Sequence, residues 1–228
     1  MKGPNEISDQ FRDVYDLDAR ARELLFNFVA LVEGARLNVT AWKGEVLWER
    51  GVMESLALQS FLPKDFRGRG LDIGSGGGFP GIVLAIAYLE GSWTLIDSRV
   101  RRSQFLNEVV ERLGLPNVNI VNERAEQWIK DNPIYRSYFD FVTLRAVAPK
   151  MESLELGLPY VRIGGSMLLA QGMDKDMHEE NTALLVRRLG GRIGEAVKHG
   201  EGRQTIRFEK TEETPLAYPR SGKALGRI

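Results

Sequence analysis

The strongest constraint on the fold of this chain is a glycine-rich segment, DIGSGGGFPG at residues 72–81. A short apolar run that ends at Ile73 precedes the glycines, and a longer apolar stretch at 82–89 follows them. Glycines let the backbone approach a ligand closely, and the first free N–H groups of a following helix favour an anion. The segment therefore predicts a strand, a ligand-binding turn and a helix in that order. A tight turn that binds nothing is the alternative.

The sequence after residue 69 continues this alternation of strand and helix. The predicted strands are short apolar segments at 70–73, 93–97, 118–121, 139–144 and 167–170. Gly164 and Gly165 are expected to turn the chain into the last of these, and residues 174–190 have a helical pattern. Segments 192–199 and 204–208 predict a hairpin. The pattern indicates a Rossmann-like α/β fold with a mainly parallel, seven-stranded sheet and a late antiparallel hairpin.

Two N-terminal stretches, 11–35 and 46–61, have apolar residues at about the 3.6-residue helical period. The residues expected on one side of the second helix are Val46, Met53, Leu56, Ala57 and Ser60. We therefore expect a helical N-terminal region at 1–65, a catalytic domain at 66–210 and a basic tail at 211–228. The tail is expected to lie on the surface, and its basic residues are Arg220, Lys223 and Arg227.

Composition excludes several kinds of chemistry. Cysteine is absent, so disulfide bonds, thiolate metal ligands and a cysteine nucleophile are excluded. His178 and His199 have no metal-ligand spacing, and no metal is expected. The 31 basic and 31 acidic residues cancel, so any nucleic-acid contact must come from local patches. With no membrane span or apolar signal region in the sequence, we expect a cytoplasmic protein. Oligomeric state is not determined, although a monomer is favoured.

The glycine loop fits two kinds of cofactor. Gly76, Gly78 and Gly81 match the G-x-G-x-x-G fingerprint of dinucleotide-binding folds. Asp72, Gly74, Gly76 and Gly78 also form a D-x-G-x-G-x-G series, with an acid at the strand end where methyltransferases place one. Asp72 and the late hairpin favour a class I methyltransferase fold that binds S-adenosylmethionine at this loop. An NAD-binding protein is the alternative.

Asp97 ends the second predicted strand, 25 residues after Asp72. A carboxylate at that position accepts hydrogen bonds from both ribose hydroxyls of an adenosyl group. The alternative role is a helix N-cap, because Asp97 and Ser98 precede a predicted helix at 99–113.

Several longer motifs point to one family. They are RLNVTA (36–41), ER (49–50) with ESLAL (54–58), LDIGSGGGFPG (71–81), LIDS (95–98), RR (101–102) with FL (105–106), RAE (124–126), LRAVAP (144–149) and YPR (218–220). With these motifs in this order, the chain resembles the ribosomal RNA small-subunit methyltransferase G family, also called glucose-inhibited division protein B. The resemblance implies S-adenosylmethionine-dependent methylation of N7 of a guanine in the decoding region of bacterial 16S ribosomal RNA. The implied partner is 16S ribosomal RNA or the small ribosomal subunit.

The resemblance also implies roles for single residues. Gly74 and Phe79 would line the methionine side of the cofactor, and Ala125 and Glu126 would lie against its adenine. Arg145, which follows the fourth strand, would border the transfer site. A cation is repelled by a sulfonium, so we expect Arg145 to hold the methionine carboxylate or an RNA phosphate. The alternatives are that Phe79 is an ordinary core residue and that Glu126 is a first-turn acid favoured by the helix dipole.

The chain departs from the family pattern at three positions. Gly51 stands where the family has histidine, Gln171 where it has lysine, and Gln204 where it has a second histidine. These departures leave a methyltransferase for another substrate, either a small molecule or a protein, as an open alternative. The RNA contacts are expected at Arg101, Arg102, Arg220 and Lys223.

Guanine N7 has a lone pair and no proton, so its methylation needs no general base and no covalent intermediate. Methylation of pyrimidine C5 would need a thiolate, which this chain lacks. An amino-nitrogen methyltransferase would have an Asn-Pro-Pro-Tyr-like loop after the fourth strand, where this chain has LRAVAP at 144–149.

Overall fold

The computed structural model describes residues 17–172, 180–199 and 202–227. Several predicted features lie outside these ranges. They are the start of the first helix at 11–16, the helical pattern at 174–179, part of the hairpin turn at 200–201, and the position of His178.

A seven-stranded sheet forms the centre of the molecule. Its strands are β1 (Arg69–Ile73), β2 (Ser92–Ile96), β3 (Val118–Val121), β4 (Phe139–Arg145), β5 (Val161–Gly172), β6 (Gly191–Lys198) and β7 (Arg203–Lys210). They lie in the order β3-β2-β1-β4-β5-β7-β6. β7 runs antiparallel to β5 and β6, and the other neighbouring pairs are parallel. The predicted fold class, with its late hairpin, is confirmed.

Seven helical segments accompany the sheet in the described residues. They are α1 (Ala19–Glu33), α2, α3 (Gly81–Ala87), α4 (Val100–Leu113), α5 (Ala125–Asp131), α6 (Lys150–Gly157) and α7 (Glu180–Arg188). The label α2 denotes one continuous helical segment, which consists of an α-helical part, a π-helical part, a second α-helical part and a 3-10 part at Gly44–Val46, Leu47–Met53, Glu54–Leu56 and Ala57–Phe61. Short 3-10 turns occur at Pro133–Tyr135, Leu158–Tyr160 and Gly222–Ala224. Across the described part of the chain, every helix is too short or too polar for a membrane span.

α1 packs against the glycine-rich segment. The Asp18 side chain caps the helix by accepting a hydrogen bond from the Ala21 N–H at 2.7 Å. The helix buries an apolar stripe of Ala21, Leu25, Phe28, Val29 and Val32. The ring of Phe28 lies 5.0 Å from that of Phe79 in the glycine loop. The N-terminal helix therefore shares a hydrophobic core with the site that the loop forms.

The residues predicted to share one side of α2 are not buried together. Val46 is 43% exposed and Ser60 is exposed, while Leu47 and Val52 are fully buried. The reason is a π-helical stretch, Leu47–Met53, in which i→i+5 hydrogen bonds place more residues in each turn than an α-helix does. The apolar residues consequently do not follow a 3.6-residue period across this segment.

The start of β5 also differs from the prediction. Gly164 and Gly165 lie inside the strand, which begins at Val161. Opposite them, Phe139 of β4 pairs with Val161, whereas Phe141 pairs with Ser166, so β5 carries a bulge. Gly164 has φ +80, a left-handed conformation that favours glycine, and the pair therefore forms the bulge rather than a preceding turn.

The C-terminal tail is docked rather than loose. Glu155 of α6, whose side chain is fully buried, accepts hydrogen bonds from Nε and Nη2 of Arg220 at 2.9 and 2.7 Å. It also accepts the backbone N–H groups of Arg220 and Gly226 at 2.6 and 2.9 Å. These charged bonds lower the pKa of Glu155 against the opposing effect of its burial. Glu155 therefore holds the Arg220 guanidinium, and the contact of Arg220 with RNA stays a prediction.

We expect Arg220→Ala to lower the free energy of unfolding by about 3 kcal/mol, because it leaves a buried carboxylate without its cation. Urea denaturation followed by circular dichroism measures this change. Lys223→Ala is the matched control in the same tail; Lys223 is exposed, and its loss should cost less than about 0.5 kcal/mol. Equal midpoints for Arg220→Ala and the unmodified protein would contradict the structural role.

Candidate active site

A cavity of about 340 Å³ opens at the carboxyl ends of β1 and β4, the edge where open α/β sheets bind ligands. One end is lined by the glycine loop, and the other by the ends of β5 and β7. The polar and aromatic residues that line it include Thr40, Trp42, Glu54, Ser55, Ser75, Phe79, Arg102, Thr143, Arg145, Gln171, His199, Arg203, Gln204 and Thr205.

The glycine loop is held in a conformation that needs glycine. Gly74, Gly76 and Gly78 have φ values of +71, +55 and +93. A Cβ on Gly74 would lie 2.6 Å from Val147, and one on Gly78 would lie 2.8 Å from Ile82. At Gly76 the nearest atom to such a Cβ is Nη1 of Arg102, at 3.4 Å. Gly74 and Gly76 thus line the cavity, whereas Gly78 packs inward.

Asp72 lies beneath this loop and is not among the residues that line the cavity. Its carboxylate accepts a hydrogen bond from the Thr143 hydroxyl at 2.7 Å and one from the Gly81 N–H at 3.2 Å. Burial raises the pKa of Asp72 to about 6, against the lowering effect of these bonds. The N–H at the start of α3, expected to meet a ligand anion, instead meets Asp72. Asp72 therefore holds the glycine loop in place through these hydrogen bonds and does not line the cavity.

Asp97 follows β2 and is almost fully buried. One carboxylate oxygen accepts the Gly76 N–H at 2.9 Å, and the other accepts the Arg99 N–H at 2.8 Å. Nη1 of Arg102 lies 3.7 Å from the same carboxylate. Asp97 therefore ties the glycine loop to the start of α4. The ribose contact and the helix N-cap role of Asp97 therefore both stay predictions. Asp97 borders the glycine loop, and it also accepts the Arg99 N–H near the start of α4.

Arg102 lines the cavity, and its contact with RNA stays a prediction. Its guanidinium faces Asp97 and Gly76 instead of the outer surface. Arg101 and Lys223 are exposed, and their contact with RNA stays a prediction.

Ala125 and Glu126 begin α5, next to the end of β3. The Ala125 carbonyl accepts a hydrogen bond from the Tyr160 hydroxyl at 2.6 Å, and Glu126 pairs with Nε of Arg124 at 2.6 Å. Neither residue is among those that line the cavity, and their contact with adenine stays a prediction.

Arg145 ends β4 at the middle of the cavity. Its Nη2 donates to Glu54 at 2.9 Å and to the Arg50 carbonyl at 2.5 Å, and its guanidinium lies 4.6 Å above the Trp42 ring. Burial lowers the pKa of Arg145, and the neighbouring Glu54 raises it. The side chain is only 14% exposed, because Glu54, the Arg50 carbonyl and Trp42 surround it.

The three departures from the family pattern cluster at this site. A Cβ on Gly51 would lie 2.9 Å from Phe79, so a histidine there would displace that ring. Gln171 and Gln204 are partners across β5 and β7, and both line the cavity. His199 lies beside them, with Nε2 2.8 Å from the Thr205 hydroxyl, and burial lowers its pKa.

Glu54, Trp42, Arg203 and His199 were not predicted as site residues. They lie on α2, the preceding loop, β7 and its hairpin, and no local pattern joins them. Glu54 was visible only as part of the ESLAL motif. Within the described ranges, no three histidine or acidic side chains come together as a metal site.

The glycine loop lies beside the carboxylate of Asp97 at a strand end, and the seventh strand of the sheet is antiparallel. This combination is typical of S-adenosylmethionine-dependent methyltransferases, and the protein belongs to this class. A SAM-dependent methyltransferase from Aquifex aeolicus has the same fold, with a TM-score of 0.55 at 16% identity over 72% of this chain and 93% of its own. A branched-chain polyamine synthase mutein from Thermus thermophilus aligns with a TM-score of 0.67 at 13% identity over 91% of this chain and 69% of its own.

The family follows from closer relatives. A family model described as rRNA small subunit methyltransferase G matches residues 23–195. Proteins named Ribosomal RNA small subunit methyltransferase G include one from Syntrophomonas wolfei, 35% identical over 86% of this chain and 92% of its own. Another, from Synechococcus elongatus, is 38% identical over 75% of this chain and 73% of its own. The chain belongs to this family, as its motifs predicted, and its cofactor is S-adenosylmethionine.

Proposed function

We propose that this protein transfers a methyl group from S-adenosylmethionine to N7 of a guanine in the decoding region of bacterial 16S ribosomal RNA. The family and the names of its relatives support ribosomal RNA of the small subunit as the substrate. An enzyme that modifies this RNA acts where bacterial ribosomes assemble, so we also propose a cytoplasmic location.

The residues of the cavity fit this cofactor. Gly74 and Gly76 line the cavity, and we assign the ribose hydroxyls to Asp97, which lies behind the lining and accepts the Gly76 N–H. To reach Asp97 the ribose would displace Arg102, which lies 3.7 Å from it. We assign the methionine carboxylate to Arg102 rather than Arg145, since Arg102 borders the glycine loop while Arg145 is bound to Glu54.

The observation that carries the N7 assignment is the state of the one carboxylate lining the cavity among the described residues. Glu54 is bound by Arg145 at 2.9 Å and by Arg203 at 2.5 Å, so both of its oxygens are already engaged by cations. S-adenosylmethionine supplies an electrophilic methyl group, and attack by the N7 lone pair releases no proton. The protein then has to align the acceptor with the methyl group.

The acceptor is tested directly by nucleoside mapping. Small subunits from a strain without this gene are incubated with the enzyme and labelled cofactor, and the digested RNA is analysed by mass spectrometry. Label in 7-methylguanosine from the decoding region supports the proposal. Label in another nucleoside, or transfer to a protein or small molecule alone, would favour the alternative that the substitutions at Gln171 and Gln204 keep open.

If N7 is the acceptor, the rate of methyl transfer should depend little on pH. Single-turnover transfer should change little between about pH 7 and 9, because N7 loses no proton. Below about pH 6 the rate should fall as Asp72 becomes protonated and the charge beneath the glycine loop is lost. His199→Gln serves as the control and should keep the same profile. A rate that rises about tenfold per pH unit above 7 would show that a proton must leave before transfer.

A further inference from the structure

The cavity also holds a charged cluster of Glu54, Arg145 and Arg203, beside the end of β4 and the start of β7. Glu54 is 16% exposed and lies between the two arginines, whose Nη2 atoms are 2.9 and 2.5 Å from its two oxygens. Arg145 is itself fixed by the Arg50 carbonyl and the face of Trp42. The position of the carboxylate is therefore set before any substrate enters.

This cluster keeps unused hydrogen-bonding capacity. A carboxylate has about four lone-pair sites, and the two arginines take one on each oxygen of Glu54, so each oxygen can accept one further hydrogen bond. Nε of Arg203 has no hydrogen-bond partner among the described residues, but it is closed off from solvent. The Arg203 side chain as a whole is 32% exposed and lines the cavity, so its terminal N–H groups are the donors within reach of a ligand. The pair Arg203 and Glu54 thus offers a donor beside two acceptors.

We propose that Glu54 and Arg203 read the Watson–Crick edge of the acceptor guanine. This inference rests on the proposed function, and it names the residues that select the base. Guanine presents O6 as an acceptor next to the N1–H and N2–H donors, which is the complement of what Arg203 and Glu54 offer. Adenine presents a donor at N6 and a lone pair at N1, which would face the carboxylate of Glu54 without a bond.

The geometry of the base agrees with transfer to N7. N7 lies on the opposite edge of the purine from N1 and N2, so a guanine held by Glu54 leaves N7 free of the charged cluster. The glycine loop, where the cofactor is assigned, lines the same cavity. A site that bonds polar groups of its substrate rejects analogues that lack them, because its own buried groups are then left unpaired.

The experiment combines one change in the protein with one in the base. Glu54→Gln keeps the size of the side chain and replaces an acceptor by a donor, and inosine at the target position removes only the N2 amino group. Small subunits are assembled with ligated 16S RNA carrying guanosine or inosine, and kcat/KM is measured for all four combinations. Glu45→Gln, an exposed acid of the same helical segment, is the matched control. Calorimetry with S-adenosylhomocysteine checks that each variant is folded and binds the cofactor.

We expect inosine to lower kcat/KM about tenfold with the unmodified enzyme, and Glu54→Gln to lower it 10- to 100-fold with guanosine. With Glu54→Gln the further loss on inosine should disappear, because the contact it would break is already gone. An undiminished inosine penalty in the variant would mean that Glu54 only positions the two arginines, and would overturn the inference. Equal rates on both substrates with the unmodified enzyme would overturn it too. No transfer to the guanosine substrate at all would overturn the proposed function itself.

Discussion

Asp97→Ala is expected to weaken S-adenosylhomocysteine binding by about 10²- to 10⁴-fold. Two hydrogen bonds from ribose hydroxyls to a carboxylate are each worth about 1.5–3 kcal/mol, and every 1.4 kcal/mol is a factor of ten. The substitution also removes the acceptor of the Gly76 and Arg99 N–H groups, so the glycine loop loses its anchor to α4. Titration calorimetry measures the affinity, and circular dichroism checks that the fold persists.

Asp140→Ala provides the matched control for this loss. Asp140 also lies in the sheet and accepts a backbone N–H, that of Arg69 at 2.7 Å, with a further bond from Arg162 at 2.5 Å. It is not among the residues that line the cavity. We expect Asp140→Ala to lower stability while leaving cofactor affinity within about threefold. If the Asp97→Ala variant kept full cofactor affinity and a normal fold, Asp97 would act only at the start of α4 and would not bind the ribose.

Most of the sheet was predictable because its strands are set by local patterns. The β1, β3 and β4 segments were placed within one residue of their observed bounds, since short apolar runs alternate with helical ones. The exceptions are the π-helical stretch of α2 and the bulge at Gly164. The π-helix adds residues to a helical turn, and the bulge adds residues to one strand of a pair. The spacing of apolar residues predicts only regular helices and strands, so it does not reveal either feature.

The cofactor end of the site was more predictable than the acceptor end. The glycine loop and its flanking acids lie within 26 residues of sequence, so one motif marks them. Glu54 meets Arg145 and Arg203 across separations of 91 and 149 residues, which no local pattern records. The bond between Arg220 and Glu155 was missed for the same reason, because the two residues lie 65 positions apart.

The second large effect is expected at Arg145. Arg145→Ala should lower kcat/KM for small subunits by about 10²- to 10³-fold, the size seen when one preorganised charged donor is removed from a catalytic site. Because the side chain is only 14% exposed and pairs with Glu54, stability should also fall, by about 2–3 kcal/mol. Measurement of both quantities is essential, since unfolding alone would also reduce the rate.

Two further variants separate the stability loss from the activity loss. Arg162→Ala removes an arginine of β5 that pairs with Asp140 at 2.5 Å outside the cavity lining, so it should cost stability and leave kcat/KM nearly unchanged. Arg145→Lys keeps the charge but lacks the planar group that bonds the Arg50 carbonyl and Glu54 while stacking on Trp42. We expect it to recover only part of the rate.

The measured quantity that falls with Arg145→Ala identifies what Arg145 does. If Arg145 acts by holding Glu54, S-adenosylhomocysteine affinity should stay within about threefold, and the discrimination between guanosine and inosine should shrink. A loss of cofactor affinity would place Arg145 on the methionine carboxylate instead of Arg102, whereas a loss of RNA affinity that depends strongly on salt would place it on a phosphate. Full activity would remove Arg145 from the site, since neither a positioning nor a binding role survives that result.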